Sequence, residues 1–265
     1  MSQSAVVRIA ALDVRRRPSH RSELKSQLLM GELVRLLSVG RGGKWSRIEN
    51  RTDGYKGWVR QWGLRPLTAA EAAEWERSAQ WRVACRHLEL RAGPRRGAIV
   101  TPIFWNSPVV VSRFEGAFAR LRLPGGDHAW TERRHLRRSG RPAGSLEHVI
   151  RSLIGVPYLW GGRTPLGFDC SGFVQQVLSS IGTEVPRDAH EQFVACRGSG
   201  RRRAPRKGEL VFFGRPGGRM THVGIAMGRG LVAHAQGTVH VSSLTPSHRL
   251  YDRALAVSLR AVGRP

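Results

Sequence analysis

The chain has 265 residues, of which 40% are hydrophobic, and it carries 44 Lys and Arg against 19 Asp and Glu. That length predicts one large domain or two to three small ones, and the apolar content excludes a disordered chain. The net charge of +25 is spread over the whole chain, and all but four of the basic residues (Lys25, Lys44, Lys56 and Lys207) are arginine. A nucleic-acid surface is confined to one face or module, so nucleic acid is not expected as a partner.

The N-terminal stretch has no basic leader, and Arg8 and Asp13 interrupt any apolar core, so no signal peptide is predicted. No window approaches the roughly 20 apolar residues of a membrane span. Cys85, Cys170 and Cys196 are odd in number and too widely spaced for a zinc site. Reduced thiols, a cytoplasmic location and no membrane are expected. With no zinc or phosphate-loop pattern present, neither a metal nor a cofactor is expected.

The first half reads as short strands. Residues 6–12, 28–37, 45–48 and 57–60 are β-branched or aromatic runs, separated by turn signals such as Gly40-Arg41-Gly42-Gly43 and Asp53-Gly54. This rhythm predicts a small antiparallel barrel over residues 1–67. Thr68, with Glu71 three residues on, matches a capping box, so residues 68–80 read as a linker helix. A repeat follows. Val14-Arg15 with Pro18 returns as Leu90-Arg91 with Pro94, an offset of 76, and Trp58 returns as Trp130, an offset of 72. It predicts a second barrel over residues 81–140, with strands at 99–105, 109–114 and 117–123. Both barrels read equally as spacers or as ligand contacts.

After a Gly/Pro-rich linker at 137–144 the texture changes. Residues 145–154 have helical periodicity with Ser145 as N-cap, and 173–181 continue an apolar helix ended by Gly182. Strands are predicted at 210–213, 222–227, 231–235 and 239–241. Helices followed by an antiparallel sheet predict an α+β domain over residues 141–265.

The chemistry concentrates in residues 157–174, PYLWGGRTPLGFDCSGFV. Gly161, Gly162 and Gly167 make an open loop leading into Cys170, which opens the apolar helix. A helix N-terminus favours thiolate over thiol, and its free N–H groups suit an oxyanion. His222 and His234 fall on adjacent strands joined by Gly228-Arg229-Gly230. One would pair with the thiol and the other would fix its tautomer. On spacing alone Cys170 reads either as this nucleophile or as a buried small apolar residue, and the histidines as ordinary strand residues.

Five motifs carry a resemblance: Tyr158-x-Trp160-Gly161-Gly162, Asp169-Cys170-Ser171-Gly172-Phe173-Val174, Gly208-Glu209-Leu210-Val211-Phe212-Phe213, His222-Val223-Gly224-Ile225 and His234-Ala235. In this order, over residues 146–260, the chain resembles the NlpC/P60 family of cysteine peptidases. The resemblance implies a papain-like α+β fold, Cys170 as nucleophile, His222 as general base and His234 as the orienting residue. The barrels resemble bacterial SH3 (SH3b) domains, although the second closes on Ala129-Trp130-Thr131 rather than Gly-Trp-Val.

Two such barrels ahead of this domain are similar to the γ-D-glutamyl-L-diamino acid endopeptidases of murein-peptide recycling. That resemblance implies cleavage of the γ-D-Glu–diamino acid bond of a small murein peptide, L-Ala-γ-D-Glu-diamino acid, with a free N-terminal L-Ala. By motif position it assigns Glu32, Tyr55, Tyr158, Asp169, Ser171 and Asp188 to substrate binding. Ala189 stands where that subgroup often has Ser. Glu32 also reads as a solvated turn carboxylate, and Tyr55 as a packed barrel aromatic. Two alternatives remain: a hydrolase of intact peptidoglycan, and a basic SH3b protein that holds glycan or nucleic acid without catalysis. The arginine run at 201–203 reads as a solvated loop. His190, His240 and His248 lack motif partners.

Overall fold

The computed structural model describes residues 3–196, 199–200 and 204–265, so the arginine run at 201–203 lies outside the described residues. Contacts divide the chain into two compact units, residues 1–141 and 142–265.

The first unit contains β1 (Ser4–Val7), β2 (Ala11–Arg15), β3 (Leu24–Leu29), β4 (Leu33–Val39), β5 (Trp45–Asn50), β6 (Lys56–Arg60) and β7 (Leu64–Leu67). Helix α1 (Ala69–Ser78) follows, then β8 (Trp81–Val83), β9 (His87–Arg91), β10 (Ile99–Phe104), β11 (Pro108–Glu115), β12 (Phe118–Arg122), β13 (His128–Glu132) and β14 (Leu136–Arg138). One seven-stranded sheet runs β3-β2-β6-β5-β4-β1-β7 and the other β10-β9-β13-β12-β11-β8-β14. Each strand of the second sheet occupies the place of its counterpart in the first. The sequence repeat is therefore a repeat of topology, and register confirms it. Arg15 pairs with Trp58 and Arg91 with Trp130, the same residues that carry the two sequence offsets.

Two of the predicted strands are in fact broken. Residues 6–12 split into β1 and β2, and residues 28–37 split into β3 and β4 around Gly31. Gly31 has φ +87°, and a Cβ there would collide with the Pro108 carbonyl oxygen. Apolar side chains on both sides of this turn hide it from a periodicity argument.

Helix α1 has the full capping box between Thr68 and Glu71. It does more than connect. Its Trp75 packs with Val6, Leu33 and Leu67 of the first sheet and Val110 of the second, and Trp75 Nε1 donates to the Gly31 carbonyl at 2.9 Å. Arg122 reaches both carboxylate oxygens of Glu74 at 2.8 Å and lies over the Trp75 ring.

The second unit begins with α2 (Leu146–Leu153), capped by the Ser145 hydroxyl on the His148 N–H. The short strands β15 (Arg163–Thr164) and β16 (Gly167–Phe168) lead into α3 (Cys170–Ser180), followed by α4 (Ala189–Ala195). A six-stranded sheet then runs in the order β17 (Ser199–Gly200), β22 (Leu259–Gly263), β18 (Leu210–Gly214), β19 (Met220–Gly228), β20 (Leu231–Gln236) and β21 (Thr238–Ser243). Helix α3 is buried nearly all round, with Ser171, Gln175, Gln176 and Ser180 buried beside its apolar residues, and it packs on β19 and β20. This is the α+β class expected from the sequence. The short helix α5 (Arg253–Ser258) and strand β22 were not foreseen, because six and five residues give too little periodicity to read. Among the described residues no helix is long and apolar enough to cross a membrane.

Trp75 joins the two sheets of the first unit, so Trp75→Ala should lower its stability by about 3–5 kcal/mol. Trp62→Ala, whose ring is 57% exposed, should cost less than about 0.5 kcal/mol. Urea unfolding followed by circular dichroism separates the two; equal effects would remove Trp75 from this role.

Candidate active site

Cys170 is the first residue of α3 and Asp169 its N-cap. Asp169 Oδ1 accepts the Gly172 N–H at 2.6 Å, and Oδ2 accepts the Gly161 N–H at 2.9 Å. Arg187, only 1% exposed, completes the arrangement as a fork. Its Nη1 donates to Asp169 Oδ1 at 3.0 Å and to Ser171 Oγ at 2.8 Å, and its Nη2 donates to Oδ2 at 2.7 Å. A buried ion pair persists when further hydrogen bonds satisfy its remaining atoms, and here each carboxylate oxygen takes donors from both the backbone and Arg187. Gly172 lets the glycine loop touch the helix, since a Cβ there would meet the Gly162 carbonyl oxygen. Sequence reasoning singled out Asp169, Ser171 and Asp188 but passed over Arg187, the residue that binds the first two. Its signal was the Pro186-Arg187-Asp188 motif, masked in a chain so rich in arginine.

Strands β19 and β20 pair with Ile225 opposite Ala233, which puts His222 and His234 on one face of the sheet. His222 Nε2 lies 2.9 Å from His234 Nδ1, and His234 Nε2 lies 3.1 Å from the Ser242 hydroxyl on β21. His240 stands directly opposite His234, with ring centroids 4.4 Å apart. Ser242 escaped the sequence analysis, and His240 was set aside there for want of a motif partner, because only the β20–β21 register brings them here. A proton arrangement that makes His222 a base has His222 Nε2–H donating to His234 Nδ1 and His234 Nε2–H donating to Ser242. The lone pair of His222 then sits on Nδ1. The reverse direction would leave His222 with no acceptor for a thiol proton.

The Cys170 thiol is hydrogen-bonded by the backbone of Ser171 and of Val223, the residue after His222. Burial pushes the thiol up to about 11, with the Asp169 carboxylate adding to the rise; Arg187 and the two backbone groups oppose it. Burial pushes His222 down to about 4, reinforced by His240, and His234 to about 3, reinforced by His222 and His240. At neutral pH the groups rest as thiol and neutral imidazole, because desolvation disfavours both charged forms. Tyr158 is held up to about 12, first by burial and then by Cys170 and Asp169, and so remains a proton donor. Tyr158 and His222 line a cleft of about 540 Å³ together with Thr221, Gln236 and Asp252.

The other predicted residues have separate settings. Asp188 stands at the N-cap of α4 without a side-chain capping bond. Glu32 is buried, and its carboxylate accepts the Leu29 N–H at 3.0 Å. Glu32 also lines a cavity of about 190 Å³ with Arg51, Trp75 and Arg82. The Tyr55 ring lies 4.9 Å from Lys25 Nζ. Among the described residues no cluster of three His, Cys, Asp or Glu is arranged to hold a metal ion.

Residues 155–260 match the NlpC/P60 family, and residues 14–64 match the bacterial dipeptidyl-peptidase SH3 domain. A γ-D-glutamyl-L-lysine dipeptidyl-peptidase of Bacillus subtilis (strain 168) is 34% identical over 127 residues, 44% of this chain and 41% of its own length. One of Bacillus cereus (strain ATCC 10987 / NRS 248) is 25% identical over 234 residues, 81% of this chain and 68% of its own. The chain thus spans less than half of the first relative. In fold it is similar to the crystal structure of an NlpC/P60 family protein from Bacillus cereus ATCC 10987. The TM-score is 0.81 at 20% identity, covering 98% of this chain and 99% of that one. An NlpC/P60 endopeptidase from Photobacterium damselae subsp. piscicida gives a TM-score of 0.68 at 16% identity, covering 97% and 70%. Motif order, fold and both domain matches agree: the chain contains an NlpC/P60 domain over residues 155–260, with a bacterial dipeptidyl-peptidase SH3 domain ahead of it over residues 14–64.

Proposed function

We propose that this chain is a cysteine endopeptidase that hydrolyses the γ-D-glutamyl–diamino acid bond of short cell-wall peptides bearing a free N-terminal L-Ala. The observation that carries the chemistry is the hydrogen-bonded chain His222–His234–Ser242 beside a thiol at the start of a buried helix. The names of the relatives, γ-D-glutamyl-L-lysine dipeptidyl-peptidases, support the choice of a γ-D-glutamyl–diamino acid bond.

In this reading the sulfur of Cys170 attacks the γ-carbonyl carbon while its proton passes to Nδ1 of His222. Backbone N–H groups at the start of α3 and the Tyr158 hydroxyl hold the oxyanion. The His222 imidazolium then protonates the leaving amine, the C–N bond breaks, and a thioester remains. Water, deprotonated by His222, attacks the thioester and releases the γ-carboxylate and the thiol. The covalent intermediate splits one difficult step into two easier ones. By motif position the reading assigns Glu32, Tyr55 and Asp188 to the free amine, and Tyr158, Asp169 and Ser171 to the rest of the substrate, with the last two acting from within the Arg187 cluster.

Cys170→Ala should abolish hydrolysis of L-Ala-γ-D-Glu-diamino acid with the fold intact by circular dichroism, while Cys85→Ala and Cys196→Ala keep their activity. Turnover by Cys170→Ala would refute the mechanism.

Only neutral His222 takes the thiol proton. Its depression from 6.5 to about 4 therefore moves the acid limb of kcat/KM the same way: activity should persist as pH falls through 6.5 and disappear near 4. His222→Ala should lose nearly all activity. His234→Ala should lose about 10²–10⁴-fold, as loss of an orienting group does, and Ser242→Ala no more than about tenfold, the worth of one hydrogen bond. An acid limb near 6.5 would contradict the neutral pair.

The free-amine assignment separates a recycling enzyme from a general wall hydrolase. Acetylation of L-Ala should cut kcat/KM sharply, and Glu32→Gln should cost about 2–4 kcal/mol in kcat/KM for the free peptide, with folding checked in parallel. Equal cleavage of free and acetylated peptides would return Glu32 and Tyr55 to ordinary barrel residues.

A further inference from the structure

His222 returns its proton to the leaving amine, so the diamino acid must lie on the His222 side of the thiol. On that side the cleft runs past Thr221 to Arg215. A second groove, of about 560 Å³, shares Arg215 with the cleft and adds Arg253 and Arg260. Arg260 is tethered to its own backbone, with Nη1 donating to the Val257 and Leu259 carbonyls at 2.9 and 2.7 Å. Arg215 and Arg253 are exposed, and neither has an ion pair among the described residues. The acidic group on this wall is Asp252. Its Oδ1 caps the Leu255 N–H at 2.8 Å, which leaves Oδ2 uncommitted among the described residues.

This end of the cleft therefore offers two unpaired guanidinium groups and one carboxylate. Lysine or ornithine in the leaving position ends in an ammonium alone, which the two arginines repel. Diaminopimelate ends in a carbon bearing both a carboxylate and an ammonium, and it complements both signs. Guanidinium suits a carboxylate well, because its fork matches both oxygens.

We infer that the leaving-group end of the cleft selects a diaminopimelyl residue, with Arg215 and Arg253 binding its remote carboxylate and Asp252 facing its remote ammonium. This rests on the peptidase reading above and goes beyond it by naming the diamino acid and the residues that select it.

The test uses the full chain and three peptides: L-Ala-γ-D-Glu-meso-diaminopimelate, the same peptide amidated at its remote carboxylate, and L-Ala-γ-D-Glu-L-Lys. The diaminopimelyl peptide should have a kcat/KM at least about tenfold above the other two, as expected for a charge-assisted pair. That ratio should shrink with added salt. The double variant Arg215→Gln/Arg253→Gln should bring the ratio toward one, and because both side chains are exposed its fold should be unchanged by circular dichroism. Equal kcat/KM for the acid and amidated peptides, preference for the lysyl peptide, or a ratio that survives the double variant would overturn the inference. Cleavage of none of the three would remove the peptidase reading itself, and the inference with it.

Discussion

The carboxylate of Asp169 ties together three pieces of chain at the sulfur. It caps α3 through Gly172, fixes the glycine loop through Gly161, and holds the segment before α4 through Arg187. Because Asp169 and Arg187 are both buried, loss of either would leave a charge without its counterion, which typically costs about 3–5 kcal/mol. The pair also sets two opposing charges near Cys170, one raising the thiol pKa and the other lowering it. Burial is the larger influence, and it decides that the sulfur rests protonated.

A protonated thiol puts the burden of activation on the histidines. His222 is useful only while its Nδ1 carries a lone pair, and that follows from where its other proton goes. The chain through His234 to Ser242 supplies a run of acceptors for that proton inside a buried sheet face. His240 lies against this chain and, with burial, keeps both imidazoles neutral. In the proposed mechanism catalysis needs no preformed thiolate. The charge would be created as the proton crosses to His222, at the moment when the carbonyl oxygen also gains negative charge and the donors at the start of α3 stabilise it.

Much of this was legible in the sequence, and the reason differs from element to element. The barrel repeat could be read because Arg15 and Trp58 are register partners and their echoes, Arg91 and Trp130, are partners too. The helix caps at Thr68 and Ser145 could be read because a cap is a local hydrogen bond between near neighbours in sequence. Arg187, Ser242 and His240 could not, because each acquires its role through contacts across helices or strands. The break at Gly31 was hidden for a related reason. The turn is required by the approach of Pro108, far along the chain, while the local pattern favours a continuous strand.

The proton arrangement of the histidines is the point on which the site chemistry turns, and ¹⁵N NMR of the side-chain imidazoles observes it directly. At pH 7, with the thiol unmodified, His222 is expected to be neutral with its proton on Nε2, and His234 neutral with its proton on Nε2. An imidazolium at His222, or a proton on its Nδ1, would contradict the resting thiol–imidazole pair and the direction of the chain that makes His222 a base.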